Sequence, residues 1–354
     1  MSLQTEPIGS IPRPPELVRG LKEFAQGKLS QEKLAALQEK ALDDTIREFE
    51  ATGSPVITDG EQTKPSFLTY PIHGLMYLAP GGVVVPFADG HQRQLPCLTA
   101  GPFRYATYAD AYLQRAKKIA RVPVKQAVIS ASALSLLYPQ NGIEGYARSA
   151  FIEDLVREAE TDIRNCLKAG AHCVQIDFTE ARLSLKLDPS KKLLRQFISL
   201  NNRVLSRFTA EERKKIGVHT CPGGDQDSTH SADVDYAGLL PGLFQLQAGR
   251  FYIQLASEKD RPRVLAMIRE HSRSDQTIFV GVTDPINPKV ENPREVRDRV
   301  LEAAEFIPAP RLGTTDDCGF APFADDASTS RETAFGKIRA RVEGTRLAEK
   351  MLGV

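Results

Sequence analysis

Short apolar runs rich in β-branched residues alternate along the chain with longer stretches whose apolar positions recur every three or four residues. The short runs cover 55–60, 96–101, 126–131, 172–178, 215–220, 250–255, 277–283 and 311–315. They are bounded by turn residues and lack strict alternation, which fits strands buried on both faces of a parallel sheet. Helical spacing covers 32–51, 109–120, 144–169, 193–208, 261–271 and 293–304, with a closing helix over 330–351. Strand–helix alternation implies right-handed crossovers and an α/β fold. Eight such units predict a (β/α)8 TIM barrel, one domain covering residues 1–354. A doubly wound open sheet is the alternative, but no Gly-x-Gly-x-x-Gly turn follows an early strand. Residues 67–95, containing PGGVVVPFADGHQRQL, predict a hairpin inserted after strand 1, and 132–145 a long loop after the third strand. Both follow C-terminal strand ends, where barrels build their sites.

Composition narrows the class. The chain has 354 residues, 41% hydrophobic and 26% charged, as in ordinary soluble domains. A net charge of +1 gives no reason to expect nucleic acid or an anionic membrane as partner. No apolar run reaches the length of a bilayer span. The opening MSLQTEPIGSIPRPP lacks a signal-peptide pattern, and five cysteines form no obvious disulfide framework. The expectation is a cytoplasmic protein, with homo-oligomerisation left open.

The residues that carry chemistry lie where predicted strands end. His219 and Cys221 close the fifth strand in GVHTCPGG, and Cys318 follows the eighth in GTTDDCGF. Parallel strands bring these ends to one rim. An imidazole and two thiolates suit tetrahedral zinc, with a fourth position open. The competing reading is a buried histidine and two small core cysteines. Cys97, Cys166 and Cys173 read as core. Acidic residues crowd the same rim: Asp59, Glu61, Asp177, Glu180, Asp284, Asp316 and Asp317. Some serve as caps or ion-pair partners; together they suit a cationic group such as a substrate ammonium. His230, downstream of the His-x-Cys pair, is a candidate proton donor, and Ser10 with Gly9 a candidate carboxylate-binding turn.

Six segments, taken together, resemble the family of cobalamin-independent methionine synthases, specifically their C-terminal catalytic barrel. They are IGSIPRP (8–14), DGEQTK (59–64), TAGPFRYATY (99–108), VQIDFTEARL (174–183), GVHTC (217–221) and DDCGF (316–320). The resemblance spans nearly the whole chain and implies a barrel holding zinc through His219, Cys221, Cys318 and a fourth position, here Gln254 in place of glutamate. It implies that Gly9 and Ser10 bind the carboxylate of homocysteine, and Glu61 and Asp177 its ammonium. The tryptophan on which the family stacks its methyl donor is replaced by Tyr108, and Trp is absent altogether. The family's catalytic histidine falls at Ile286, leaving Asp284, His230 or His73 to supply the proton. The implied activity is S-methylation of a homocysteine-like thiol by a methyl donor, methyltetrahydrofolate or another. Zinc-dependent transfer to a different thiol, as in epoxyalkane opening by coenzyme M, and a non-catalytic zinc-binding homologue are the alternatives.

Overall fold

The computed structural model describes residues 2–354. Its strands, numbered in chain order, are β1 (Gln4–Thr5), β2 (Leu78–Ala79), β3 (Val84–Pro86), β4 (Gln92–Gln94), β5 (Cys97–Leu98), β6 (Gln126–Ile129) and β7 (Val174–Asp177). They continue with β8 (Ile216–Thr220), β9 (Gly224–Asp225), β10 (Ser228–Thr229), β11 (Arg250–Ile253), β12 (Thr277–Thr283) and β13 (Leu312–Asp316). The central sheet is parallel, in the order β1-β13-β12-β11-β8-β7-β6. Its strands are almost wholly buried because helices cover the outer face.

Beyond β6, Ile57 bridges in parallel to Val124, and Lys125 N–H donates to the Ile57 carbonyl at 2.8 Å. On the side of β1, Thr58 Oγ1 donates to the Gly9 carbonyl at 2.8 Å and Ile11 N–H to the Gly60 carbonyl at 3.0 Å. The segments after β1 and around Ile57 therefore join the two outer members of the sheet.

The main helices fall where the spacing of apolar residues puts them: Gln31–Ala51, Arg148–Lys168, Lys192–Leu205, Arg261–His271, Pro293–Ala304 and Arg331–Leu352. Their starts are chemically marked. Asn292 Oδ1 accepts from Arg294 N–H while Glu295 accepts from Asn292 N–H, a reciprocal cap ahead of a proline-led first turn. Among the described residues, no helix is long and apolar enough to cross a membrane.

The structure departs from the sequence expectation in several places, beginning with residues 55–60, expected as a strand, which make only the single bridge from Ile57 to Val124. Residues 96–101 do not enter the parallel sheet; β5 pairs antiparallel with β2. A short apolar run reports burial, not which strand it pairs with. The place goes instead to β1, whose two residues are too few to show any period. Residues 131–134, expected as the last residue of a strand and the start of a loop, form a helical turn capped by Ser130, whose Oγ accepts from Ala133 N–H. Within 67–95, β3 and β4 pair antiparallel, and Arg93 on β4 reaches Asp225 and Asp325.

Candidate metal and thiol site

β8 delivers His219 in register between Asp177 of β7 and Tyr252 of β11. Cys221 follows directly, and Cys318 lies just past β13. One ligand atom from each of His219, Cys221 and Cys318 lies within 4.8 Å of the others, and all three residues are buried. The two Sγ atoms are 2.9 Å apart, well beyond an S–S bond of about 2.05 Å. Neither ring nitrogen of His219 has a hydrogen-bond partner, although both are buried. Buried polar atoms are normally satisfied. An orphaned imidazole facing two sulfurs is thus a donor set that a soft or borderline cation completes. The Cys221 thiol, with the His219 imidazole nearby, pulls the Cys318 thiol well below its ordinary range, whereas burial pushes Cys221 up. The pair titrates as a unit, one sulfur holding its proton longer.

The turn after Cys221 needs its glycines. Gly223 has φ +73°, and a Cβ there would lie 1.7 Å from His230 Nε2. Gln226 and Asp227 also take positive φ, folding β9 onto β10 in a two-residue hairpin. That hairpin brings His230 back over Gly223, where its backbone N–H donates to the Gly223 carbonyl.

A small cavity opens on this cluster, lined by Gly9, Ser10, Glu61, Asp177, His219 and Cys318 among others. Asp177 is buried, and burial raises its carboxyl to about 6, with His219 opposing and Glu61 adding to the rise. Its Oδ1 accepts from Gln175 Nε2 at 2.7 Å. Glu61, held at φ 56°, is paired with the buried ammonium of Lys64 at 3.0 Å. Ser10 Oγ accepts from Ala321 N–H and stands where a Cβ on Gly319 would come within 2.1 Å. Gly319→Ala should therefore displace Ser10 and weaken ligand binding in this cavity about tenfold, roughly 1.4 kcal/mol. Metal content measured alongside should not change, because the backbone carrying Cys318 has no reason to move.

Other expected site residues lie elsewhere. His230 lines a second, largely apolar cavity of about 400 Å³ with Phe67, Leu68, Phe87, Leu136 and Glu180. Asp284 lines a third cavity of about 1010 Å³ with Cys318, Gln254 and Ile286. Asp284 Oδ1 accepts from Ile286 N–H, so its carboxylate shapes its own loop. Gln254 adjoins the cluster, but its Oε1 accepts from Arg182 at 3.0 Å and its Nε2 donates to Ser257 at 2.7 Å. The guanidinium, also paired with Glu258, sets the orientation of that amide. Tyr108 is not among the residues lining these three cavities. Its hydroxyl donates to Glu158 on the helix Arg148–Lys168, which draws the ring away from the rim. Asp316 pairs with Arg341 and Thr283, and Asp317 accepts from three consecutive backbone N–H groups at 255–257, so both are structural.

Lys64 was not anticipated from the sequence. It is fully buried among aromatic rings, bridges Glu61 and the Ala127 carbonyl, and neutralises one of the two carboxylates of the small cavity. Only its position three residues after Glu61 hinted at the pairing.

Residues 3–333 match the family described as "Cobalamin-independent synthase, Catalytic domain". A methionine synthase of Saccharolobus solfataricus is 23% identical over 354 residues, covering 99% of this chain and 96% of that protein. One from Sulfurisphaera tokodaii is 21% identical over 351 residues, with 99% and 94% covered. The structure of a B12-independent methionine synthase from Shewanella sp. W3-18-1, in complex with selenomethionine, superposes with a TM-score of 0.77 at 19% identity, covering 99% of each chain. The fold is therefore shared across nearly the full length. The protein is a methyltransferase by class. Within that class it belongs to the cobalamin-independent synthase family, represented by the catalytic domain.

Proposed function

We propose that this chain is a zinc-dependent thiol S-methyltransferase that converts homocysteine to methionine. The observation that carries the reading is the small cavity, where Ser10, Glu61 and Asp177 face the same space as His219 and Cys318. His219, Cys221 and Cys318 would hold the metal; Gln254, its oxygen engaged by Arg182, is a neighbour rather than a fourth firm ligand. Zinc bound there supplies Lewis acidity that makes a substrate thiol available as thiolate at neutral pH.

The remaining work falls to the chain. Glu61, Asp177 and Lys64 together carry one net negative charge when both carboxylates are ionised, which matches a single substrate ammonium. Gly9 and Ser10 offer N–H and hydroxyl groups to a carboxylate. An amino-acid thiol held at both ends points its sulfur toward the cluster. The methyl donor, methyltetrahydrofolate or another, fits the second cavity, whose apolar walls suit a flat or extended body. We further read the sheet as a closed (β/α)8 barrel forming one domain over residues 1–354, with the β3–β4 hairpin inserted at the rim. The segment around Ile57 and its bonds to Gly9 and Val124 support that closure.

The test is metal removal. Chelation should abolish methionine formation and leave the thermal melt close to that of the untreated protein, since a metal with an open coordination position is catalytic rather than fold-forming. Zinc should restore turnover. Titration calorimetry with homocysteine should show binding to the zinc-loaded protein; no binding would favour a non-catalytic homologue. Tighter binding of a thiol lacking an ammonium would favour an alkyltransferase of the epoxyalkane type.

A further inference from the structure

The methyl-transfer reading leaves one step without an agent. When a thiolate takes a methyl group from nitrogen, the C–N electron pair stays on nitrogen and needs a proton. The second cavity holds three side chains able to supply one: His230, Asp325 and Glu180. Burial, with Lys186 and Arg182 adding, pushes His230 down to about 4, so at neutral pH it is a neutral imidazole. Burial favours protonation of Asp325, but its hydrogen bonds to Arg93 outweigh that and hold it below the usual carboxylate range.

Glu180 differs from both. It opens the helix Glu180–Leu187, three residues after Asp177, and is only 6% exposed. Its Oε1 accepts from the hydroxyls of Ser130, at 2.6 Å, and Ser132. Ser132 is fixed in turn by Asn201, whose Nδ2 donates to its Oγ at 2.7 Å. Oε2 is buried and has no partner among the described residues. With Oε1 committed as an acceptor, a proton on this carboxyl belongs on Oε2. Burial, with Asp177 nearby, raises the group to about 7 against the pull of the two serines.

We propose that Glu180, which lines the second cavity, is the proton donor to the leaving atom of the methyl donor. The proposal rests on the methyl-transfer reading. The step balances: thiolate sulfur bonds to the methyl carbon, the C–N bond breaks, and the Glu180 proton moves to nitrogen. The products are a methyl thioether, an N–H compound and a Glu180 carboxylate, which recovers its proton from the next incoming thiol. The charge neighbours of Glu180 are Asp177 across the strand end and His230, Arg93 and Asp325 on the cavity walls. The functional form is protonated, so kcat/KM for the donor should be full below about 7 and fall as pH rises through it.

The experiment uses zinc-loaded protein with homocysteine and two methyl donors. Methyltetrahydrofolate has a nitrogen leaving group that needs a proton; S-methylmethionine, a methylsulfonium, leaves as a neutral sulfide and needs none. Glu180→Gln reproduces the shape of the protonated carboxyl, with its oxygen toward the serines. With methylfolate it should lower kcat about 10²–10⁴-fold, leave KM for homocysteine unchanged and erase the alkaline fall in the pH profile. With the sulfonium it should change little. Equal slowing with both donors, or methylfolate turnover within threefold of wild type, would overturn the proposal while the methyl-transfer reading stands. No methionine from wild type with either donor would remove the reading and the proposal together. Infrared difference spectra of wild type against Glu180→Gln should show a protonated carboxyl below neutrality that disappears above it; its absence at acidic pH also overturns the proposal.

Discussion

Cys318→Ala should yield a folded protein that retains little metal after dialysis and forms methionine at least 10³-fold more slowly than wild type. Cys318 carries the sulfur that the neighbouring Cys221 thiol and His219 imidazole keep most acidic, so its removal deletes the group best suited to be a thiolate ligand. Two protein ligands would remain, one fewer than catalytic zinc sites normally use. The fold should tolerate the change, because Cys318 lies in a loop past β13 and the sheet hydrogen bonds of β13 to β12 and β1 do not involve it. Metal analysis, turnover and circular dichroism on the same preparation decide the matter. Full metal occupancy with lost activity would point to a different ligand set. Full activity without metal would remove zinc from the mechanism.

The second large effect is expected at Asp177. Asp177→Asn keeps the size of the side chain but not its acceptors. Gln175 Nε2 already donates to Oδ1, so the new amide must turn its oxygen toward Gln175. Its NH2 group would then face the substrate ammonium, donor against donor. A hydrogen bond to a charged group contributes about 1.5–3 kcal/mol, so KM for homocysteine should rise about 10- to 150-fold with kcat little changed. A homocysteine analogue lacking the amino group should lose this sensitivity. If kcat falls and KM holds, Asp177 acts on the chemistry instead of on binding.

The meeting of His219, Cys221 and Cys318 was legible because these residue types carry their chemistry with them, and strand ends told where they meet. His219 in β8 and Cys318 past β13 follow from two buried apolar runs and the rule that parallel strands share a rim. Strands β6, β7, β8, β11, β12 and β13 were readable for the same reason. What the sequence concealed depends on tertiary pairing. β1 is too short to show a period, and residues 96–101 read as apolar without revealing that β2 would be their partner. Gln254 reads as a weakened ligand in the sequence, but Arg182, on the helix Glu180–Leu187, takes its oxygen. Glu180 looked like one more acid at a strand end. Its isolation among serines and apolar walls depends on the packing of Ser130, Ser132 and Asn201, which no local pattern announces. Tyr108 occupied the right place in the chain, yet Glu158 holds its hydroxyl on the outer helix.

Phe67, Thr179, Gly223 and Gly224 face both the small cavity and the second, apolar one. Whatever fills one space becomes part of the wall of the other, so neither substrate can bind in ignorance of its companion. Linkage then demands symmetry: the factor by which bound thiol tightens or loosens the donor equals the factor by which bound donor changes the thiol. If thiol and donor take the two spaces as proposed, a partition of four residues would let each act on the other without any element of the fold moving between them.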